Sequence, residues 1–212
     1  MILLTGFEPF GGETINPSWL AVQEAVVLLE ESGREAVAVE VPCEFGRSRE
    51  VLRGAIDEVR PDIVLCVGQA GGRERVGLER VAINVDDARI PDNAGRRPVD
   101  EPVMAGGDAA YFTSLPIKAC REALEQQGIP VEVSQTAGTY VCNHLFYGLM
   151  HLLGELDGVR GGFVHVPFST EQAAEHGAAG LPIGTMAAAL ATIATTTAST
   201  GSDLRVAGGA EH

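Results

Sequence analysis

The stretch from Val131 to His151, VEVSQTAGTYVCNHLFYGLMH, holds the side chain best suited to covalent chemistry, Cys142. Val131 and Val133 alternate as in a short strand, Thr136, Ala137 and Gly138 form a tight turn, and an apolar helix is expected to start close to Cys142. A cysteine in the first turn of a helix is surrounded by backbone N–H groups without intrahelical partners. Those dipoles favour a thiolate and can also hold an anion. The strand–turn–helix shape is that of a nucleophile elbow, without the G-x-S-x-G spelling. The other cysteines have weaker claims. Cys66 lies in an apolar strand and Cys120 on an apolar helix face, so both read as core, and Cys43 follows a strand and could at most edge a site.

A thiol nucleophile needs a base. His144 lies two residues after Cys142 on the same helix, a spacing that points the two side chains apart, and His151 lies nine residues after it. His176 falls in a Gly/Ala-rich segment and His212 in the tail. His165, near the end of the strand-like run GGFVHVP, is where a parallel strand would deliver a base to a site. The third partner is a carboxylate that fixes the imidazole tautomer and stabilises the imidazolium. Glu8, Glu74, Glu79 and Asp86 are all placed for that role, and spacing does not choose among them. No Cys or His pair has the spacing of a zinc site, so no metal is expected. The loop GQAGGR at 68–73 has phosphate-cradle glycines but neither the P-loop nor the G-x-G-x-x-G spelling.

The elements that would carry these residues alternate along the chain. Met1–Thr5 reads as a buried strand, and Asn16 and Pro17 as the N-cap and first residue of a helix bearing Trp19, Val22, Val26 and Leu29. Glu35–Val41 is a second strand. A helix with Val51, Leu52, Ala55, Ile56 and Val59 follows, and Ile63–Val67 is a third, continuously apolar strand. This βαβαβ opening predicts an α/β fold, a single domain over residues 1–200 with three α/β/α layers and a mostly parallel central sheet. From Gly68 to Gly107 only Arg80–Val85 looks strand-like, and so long an irregular stretch usually carries function. Helices around Ile117–Leu124 and Ile183–Ala198, with a strand at Gly162–Val166, complete the domain. Residues 201–212 are expected to be a flexible tail.

Composition narrows the partners. A chain of 212 residues with net charge −14 is not expected to bind nucleic acid or an anionic membrane. The N-terminus has no basic region before its apolar run, and no run reaches transmembrane length. Four cysteines without a C-x-x-C pair point to free thiols and a cytoplasmic setting.

Four blocks then support a resemblance: LLTGFEPFGGETINPSW at 3–19, GQAGGR with ERVAINVDDARIPDN within 68–93, SQTAGTYVCNHLFYGLMH at 134–151, and FVHVPF at 163–168. In this order they resemble the pyroglutamyl peptidase type I (pyrrolidone carboxyl peptidase) family of cysteine peptidases over nearly the whole chain. The resemblance implies Cys142 as nucleophile, His165 as base and Glu79 as its carboxylate, acting without a cofactor on peptides that begin with 5-oxoproline. It implies a homo-oligomer, a tetramer. By the same resemblance Phe10 stacks on the substrate ring, Asn16 and the Gln69 backbone hydrogen-bond the lactam, and Ile90, Tyr140 and Val141 complete the wall. The Cys142 N–H would serve as an oxyanion donor, with a second near Arg89. One departure stands out: Gly77 occupies a position where the family commonly has Ser or Thr. The competing readings are a nucleoside phosphorylase or hydrolase with phosphate on GQAGGR, and a non-catalytic small-ligand module.

Overall fold

The first strand, β1 (Ile2–Phe7), is buried along its whole length, which requires a layer of helices on each side of it. The computed structural model describes residues 1–210; His212, and the end of the expected flexible tail, lie outside the described residues. After β1 come α1 (Pro17–Glu31), β2 (Ala36–Val41), α2 (Arg47–Val59) and β3 (Ile63–Gln69). The irregular middle contains β4 (Val76–Glu79), β5 (Val81–Ile83) and β6 (Ala110–Phe112). Then follow α3 (Ile117–Gln126), β7 (Val131–Ser134), α4 (Val141–Leu153) and β8 (Arg160–Val166). The last elements are β9 (Phe168–Ser169), α5 (Thr170–His176), β10 (Gly180–Leu181) and α6 (Ile183–Ser199).

The central sheet has the order β2-β1-β3-β8-β4-β7. Its first four strands are parallel, β4 runs antiparallel to β8, and β7 is parallel to β4. The expected three-layer, mostly parallel α/β architecture is therefore present. Strand alternation divides the core in two. Ile63, Leu65, Val67, Val76, Leu78, Val164 and Val166 face the layer of α1, α3 and α6. Val64, Cys66 and Phe163 face the layer of α2 and α4. Gly77, Glu79 and His165 occupy the alternate positions of their strands, so they too face the α4 side.

The middle of the chain differs from expectation. The strand-like run at 80–85 is broken: β4 ends at Glu79 inside the main sheet, and β5 pairs instead with β6 in a separate antiparallel ribbon. The run VGLE is too short to show its period, and its two site-facing residues are a glycine and a carboxylate. Only its burial between β8 and β7 reveals it as a strand.

Helix α4 anchors the rest of that segment. Asn143 Oδ1 accepts from the Ile83 N–H, and Asn143 Nδ2 donates to the carbonyls of Ile83 and Val85. The Tyr147 hydroxyl donates to Asp108 O at 2.7 Å. Beyond α6, Asp203 Oδ1 accepts from the N–H groups of Lys118 and Ala119 at the start of α3, and the carbonyls of Ala207 and Gly208 accept from Arg121 and Arg80.

Candidate active site

Cys142 is the second residue of α4, after the N-cap Tyr140 and the first residue Val141. Its N–H thus belongs to the first turn, where no intrahelical acceptor exists. The turn before it depends on Gly138, at φ 78°, a left-handed conformation that side chains disfavour. The Cys142 side chain is half-buried, whereas Cys43, Cys66 and Cys120 are buried. Burial pushes the Cys142 thiol well above its ordinary value; Cys43 and Glu79 push it the same way, and Arg73 opposes them. The group at rest is therefore a thiol that needs a proton acceptor when it reacts.

That acceptor is positioned by the sheet. His165 lies near the end of β8, 4% exposed, and pairs in register with Gly68 on β3 and Gly77 on β4. A Cβ on Gly68 would stand 2.8 Å from Cys142 Sγ. The sulfur thus occupies the room that the missing side chain beside His165 leaves. His165 Nδ1 lies 2.7 Å from Glu79 Oε1. With Glu79 ionised, Nδ1 carries the proton and donates it to the carboxylate, which leaves Nε2 as the base.

The four carboxylates left open by spacing part company here. Glu8 Oε1 accepts from the Cys43 N–H and from Asn93 Nδ2, tying the first loop to the β2–α2 loop and to the strap at 86–93. Glu74 is exposed. Asp86 meets a histidine, but the wrong one: its Oδ2 is 2.7 Å from His144 Nδ1. The other nitrogen of His144 accepts from the Gly46 N–H at 2.9 Å, so this imidazole is spent on holding two loops. Glu79 alone reaches His165, and its side chain is fully buried.

The loops expected around a substrate meet at the start of α4. Phe10 packs on Tyr140 at 6.1 Å between ring centroids, and Tyr140 meets the edge of Phe45 at 5.5 Å. The Tyr140 hydroxyl donates to Pro91 O, and Thr139 and Asp87 bond reciprocally. These contacts bring Arg89 and Ile90, both exposed on the strap, beside the start of α4. Val141 is wholly buried in the α4 core. Gln69 is 9% exposed and its Oε1 has no partner among the described residues. Asn16 caps α1 through Ser18 N and Ser18 Oγ, and its Nδ2 donates to Glu8 O. The oxygen and one amide hydrogen of that side chain thus shape the Phe10 loop.

Sequence reasoning missed Arg73. Its Nη1 donates to the same Glu79 Oε1 at 2.9 Å, and its Nη2 to Thr136 O at 3.2 Å. The glycine at 77 was the available signal, because an unexpected glycine in a strand marks close approach by another group. Nor does GQAGGR form a phosphate cradle: Arg73 is committed to Glu79, and Phe168 packs over Gly71. Among the described residues, no group of three or more His, Cys, Asp or Glu is placed to share a metal ion. No described helix is long and apolar enough to cross a membrane.

A protein-family model described as pyroglutamyl peptidase matches residues 1–201. The chain belongs to the pyroglutamyl peptidase family. A pyrrolidone-carboxylate peptidase of Erwinia tasmaniensis is 54% identical over 100% of this chain and 99% of its own length. One from Escherichia fergusonii is likewise 54% identical. Among solved structures, pyroglutamyl peptidase I of Bacillus amyloliquefaciens superposes with a TM-score of 0.90 at 49% identity, covering 96% of this chain and 98% of that one. A mutant pyrrolidone carboxyl peptidase of Pyrococcus furiosus gives a TM-score of 0.86 at 34% identity, covering 93% of this chain and 98% of that one. The pyroglutamyl peptidase family therefore covers this chain nearly end to end, the Cys142, His165 and Glu79 segments included.

Proposed function

We propose that this chain removes N-terminal 5-oxoproline from peptides by a thioester route, with Cys142 as nucleophile, His165 as general base and acid, and Glu79 as the carboxylate that orients His165. The observation that carries the assignment of roles is the chain of contacts from Glu79 Oε1 to His165 Nδ1 at 2.7 Å, with His165 in register beside the glycine that makes room for Cys142 Sγ.

His165 Nε2 takes the Cys142 proton as the sulfur attacks the carbonyl that joins 5-oxoproline to the next residue. The oxyanion is met by the Cys142 N–H at the positive end of α4, with a second donor from the strap near Arg89. His165 then gives its proton to the departing amine. Water, deprotonated in turn by His165, cleaves the thioester and regenerates the thiol. Glu79 keeps the reactive lone pair on Nε2 and stabilises the imidazolium formed in each half-reaction.

The substrate is distinguished from other peptides by its N-terminal ring. A 5-oxoproline ring is small and neutral, and its lactam is costly to bury unpaired. Phe10 and Tyr140 offer aromatic faces, with Ile90 as an apolar neighbour and Val141 behind them in the α4 core. The Gln69 backbone supplies polar partners for the lactam. Asn16 contributes by fixing the loop that carries Phe10.

No cofactor enters this scheme. The four free cysteines fit a reducing, cytoplasmic setting. Exposed apolar side chains at Val99, 67% exposed, and Phe112, 70% exposed, fit burial in a homo-oligomer such as a tetramer.

A 5-oxoprolyl amide of a fluorogenic amine, with the prolyl amide as control, tests the proposal. The expected result is release from the first only, abolished by one alkylation per chain at Cys142 and by Cys142→Ala, and untouched by chelators. Turnover by Cys142→Ala, or cleavage of both amides alike, would overturn it.

A further inference from the structure

His165 has a glycine in register on each side: Gly68 on β3 and Gly77 on β4. Directly paired residues point to the same face of a sheet, so each missing side chain leaves room beside the imidazole. Cys142 Sγ fills the first space. The second is filled by Arg73, whose Nη1 stands 2.5 Å from where a Cβ on Gly77 would be.

The guanidinium seated there grips the oxygen that His165 uses. Glu79 Oε1 takes both Arg73 Nη1, at 2.9 Å, and His165 Nδ1, at 2.7 Å, while Glu79 Oε2 is buried without a partner among the described residues. A buried carboxylate is costly without a compensating charge beside it. Arg73, with its side chain 26% exposed, is a permanent one at contact distance. A Ser or Thr at 77 would place its Cβ on the guanidinium and 3.6 Å from Glu79 Oε1, close enough for a hydroxyl to replace the cation with a neutral donor.

Resting on the assignment of Cys142, His165 and Glu79 above, we infer that Arg73 is a positioning residue of this enzyme, admitted by Gly77, which holds the Glu79 carboxylate aimed at His165 and sets the pH range in which the Cys142 thiol reacts.

The sign follows from charge. The groups that face the pair are Arg73 from the β3–β4 loop, Glu79 from β4, Cys66 from β3, Cys43 from the β2–α2 loop and Tyr140 before α4. Arg73 is the cation among those that act on the Cys142 thiol, and it opposes the burial that raises it. Removing that positive charge makes the Cys142 proton harder to lose. The limb of the pH profile of kcat/KM that reports the Cys142 thiol must then move to higher pH.

The test is that profile, measured with the fluorogenic 5-oxoprolyl amide, for the parent enzyme, Arg73→Gln, Gly77→Ser and the double variant. Arg73→Gln is expected to move that limb up by about half a unit to one unit, with a lower kcat. Gly77→Ser is expected to displace the flexible guanidinium and reproduce the shift, while its hydroxyl keeps Glu79 aligned and kcat nearer the parent value. The double variant should match Gly77→Ser alone, because both changes remove one interaction. The pH dependence of Cys142 alkylation by iodoacetamide should shift with the profile, and it needs no substrate. A Cys142 limb that stays in place in Arg73→Gln, whatever its kcat, would overturn the role of Arg73 and leave the triad standing if Cys142→Ala is inactive. Activity in Cys142→Ala would overturn the triad itself.

Discussion

At the scale of single residues, the site contains two histidine–carboxylate contacts of the same length, 2.7 Å, and only one can take part in acid–base chemistry. His144 has Asp86 on one nitrogen and the Gly46 N–H on the other, so protonating its second nitrogen would set two donors against each other. His165 has Glu79 on Nδ1, and Nε2 is left for the reaction. Glu79→Gln tests this difference. An amide can offer its NH2 as well as its oxygen to Nδ1, so the wrong tautomer becomes accessible and the imidazolium loses its counter-charge. A fall in kcat on the order of 10⁴-fold is expected with a folded enzyme, by analogy with the loss of the orienting carboxylate in serine-protease triads. Asp86→Asn is expected to act mainly through stability. A cost of about 1–3 kcal/mol for the disturbed buried pair, read from urea unfolding beside kcat, separates the two dyads.

At the scale of elements, glycines and helix ends bring the chemistry together. Helix α4 holds Cys142 at its first turn and, through Asn143, His144 and Tyr147, fastens the strap and ribbon that approach the site. Strand β3 contributes the gap at Gly68. Gly68→Ala would place a Cβ 2.8 Å from both Cys142 Sγ and Phe163 Cζ, and Phe163 is wholly buried against Phe7 and Phe146. Overpacking of this kind costs about 1–3 kcal/mol. A displacement of the sulfur by a fraction of an ångström is expected to lower kcat by on the order of 10²-fold. Steady-state kinetics together with the thermal midpoint checks this: a parent-like kcat in Gly68→Ala would mean that the sulfur has room to move without consequence.

At the scale of the whole molecule, distant parts of the chain hold the first loop over the site. Glu13 sits in that loop and accepts from Gln172 Nε2 at 3.0 Å, and its other oxygen lies 2.8 Å from His176 Nε2. His176 stacks on Phe168, which covers Gly71, so α5 braces both loops that flank the substrate. The hydrogen bond from Gln172, and after it that from His176, holds the Glu13 carboxyl below its ordinary value. A folded-state value below the unfolded one means that the brace contributes fully above the unfolded carboxylate range. The contribution is lost as pH falls through the folded value. The midpoint difference between parent and Glu13→Gln is therefore expected to be largest near neutrality and to vanish in acid. Thermal melts across that range check it, and a difference that grows on acidification would contradict the direction. The net charge of −14 adds a general self-repulsion, so salt is expected to raise the midpoints of both proteins together.

What the amino-acid sequence determined by itself was whatever local pattern and residue chemistry can encode. Continuous apolar runs marked β1 and β3, Asn16–Pro17 marked the start of α1, and the turn before Cys142 marked a thiol at a helix N-terminus. His165 could be chosen from its place at a strand's end. Glu79 could not be told from Glu8, Glu74 or Asp86 by spacing, and was named only through the family resemblance. The tertiary structure decided the rest, because those facts belong to register and packing. The antiparallel pairing of β4 with β8 puts Gly77 opposite His165, and the sheet's alternation turns Glu79 to the same face. Asp86 was diverted to His144, and Arg73 entered a space that exists only because one strand of the pair lacks a side chain. A glycine in a sequence shows that room is available; which group comes to fill it is settled by neighbours distant along the chain and adjacent in the fold.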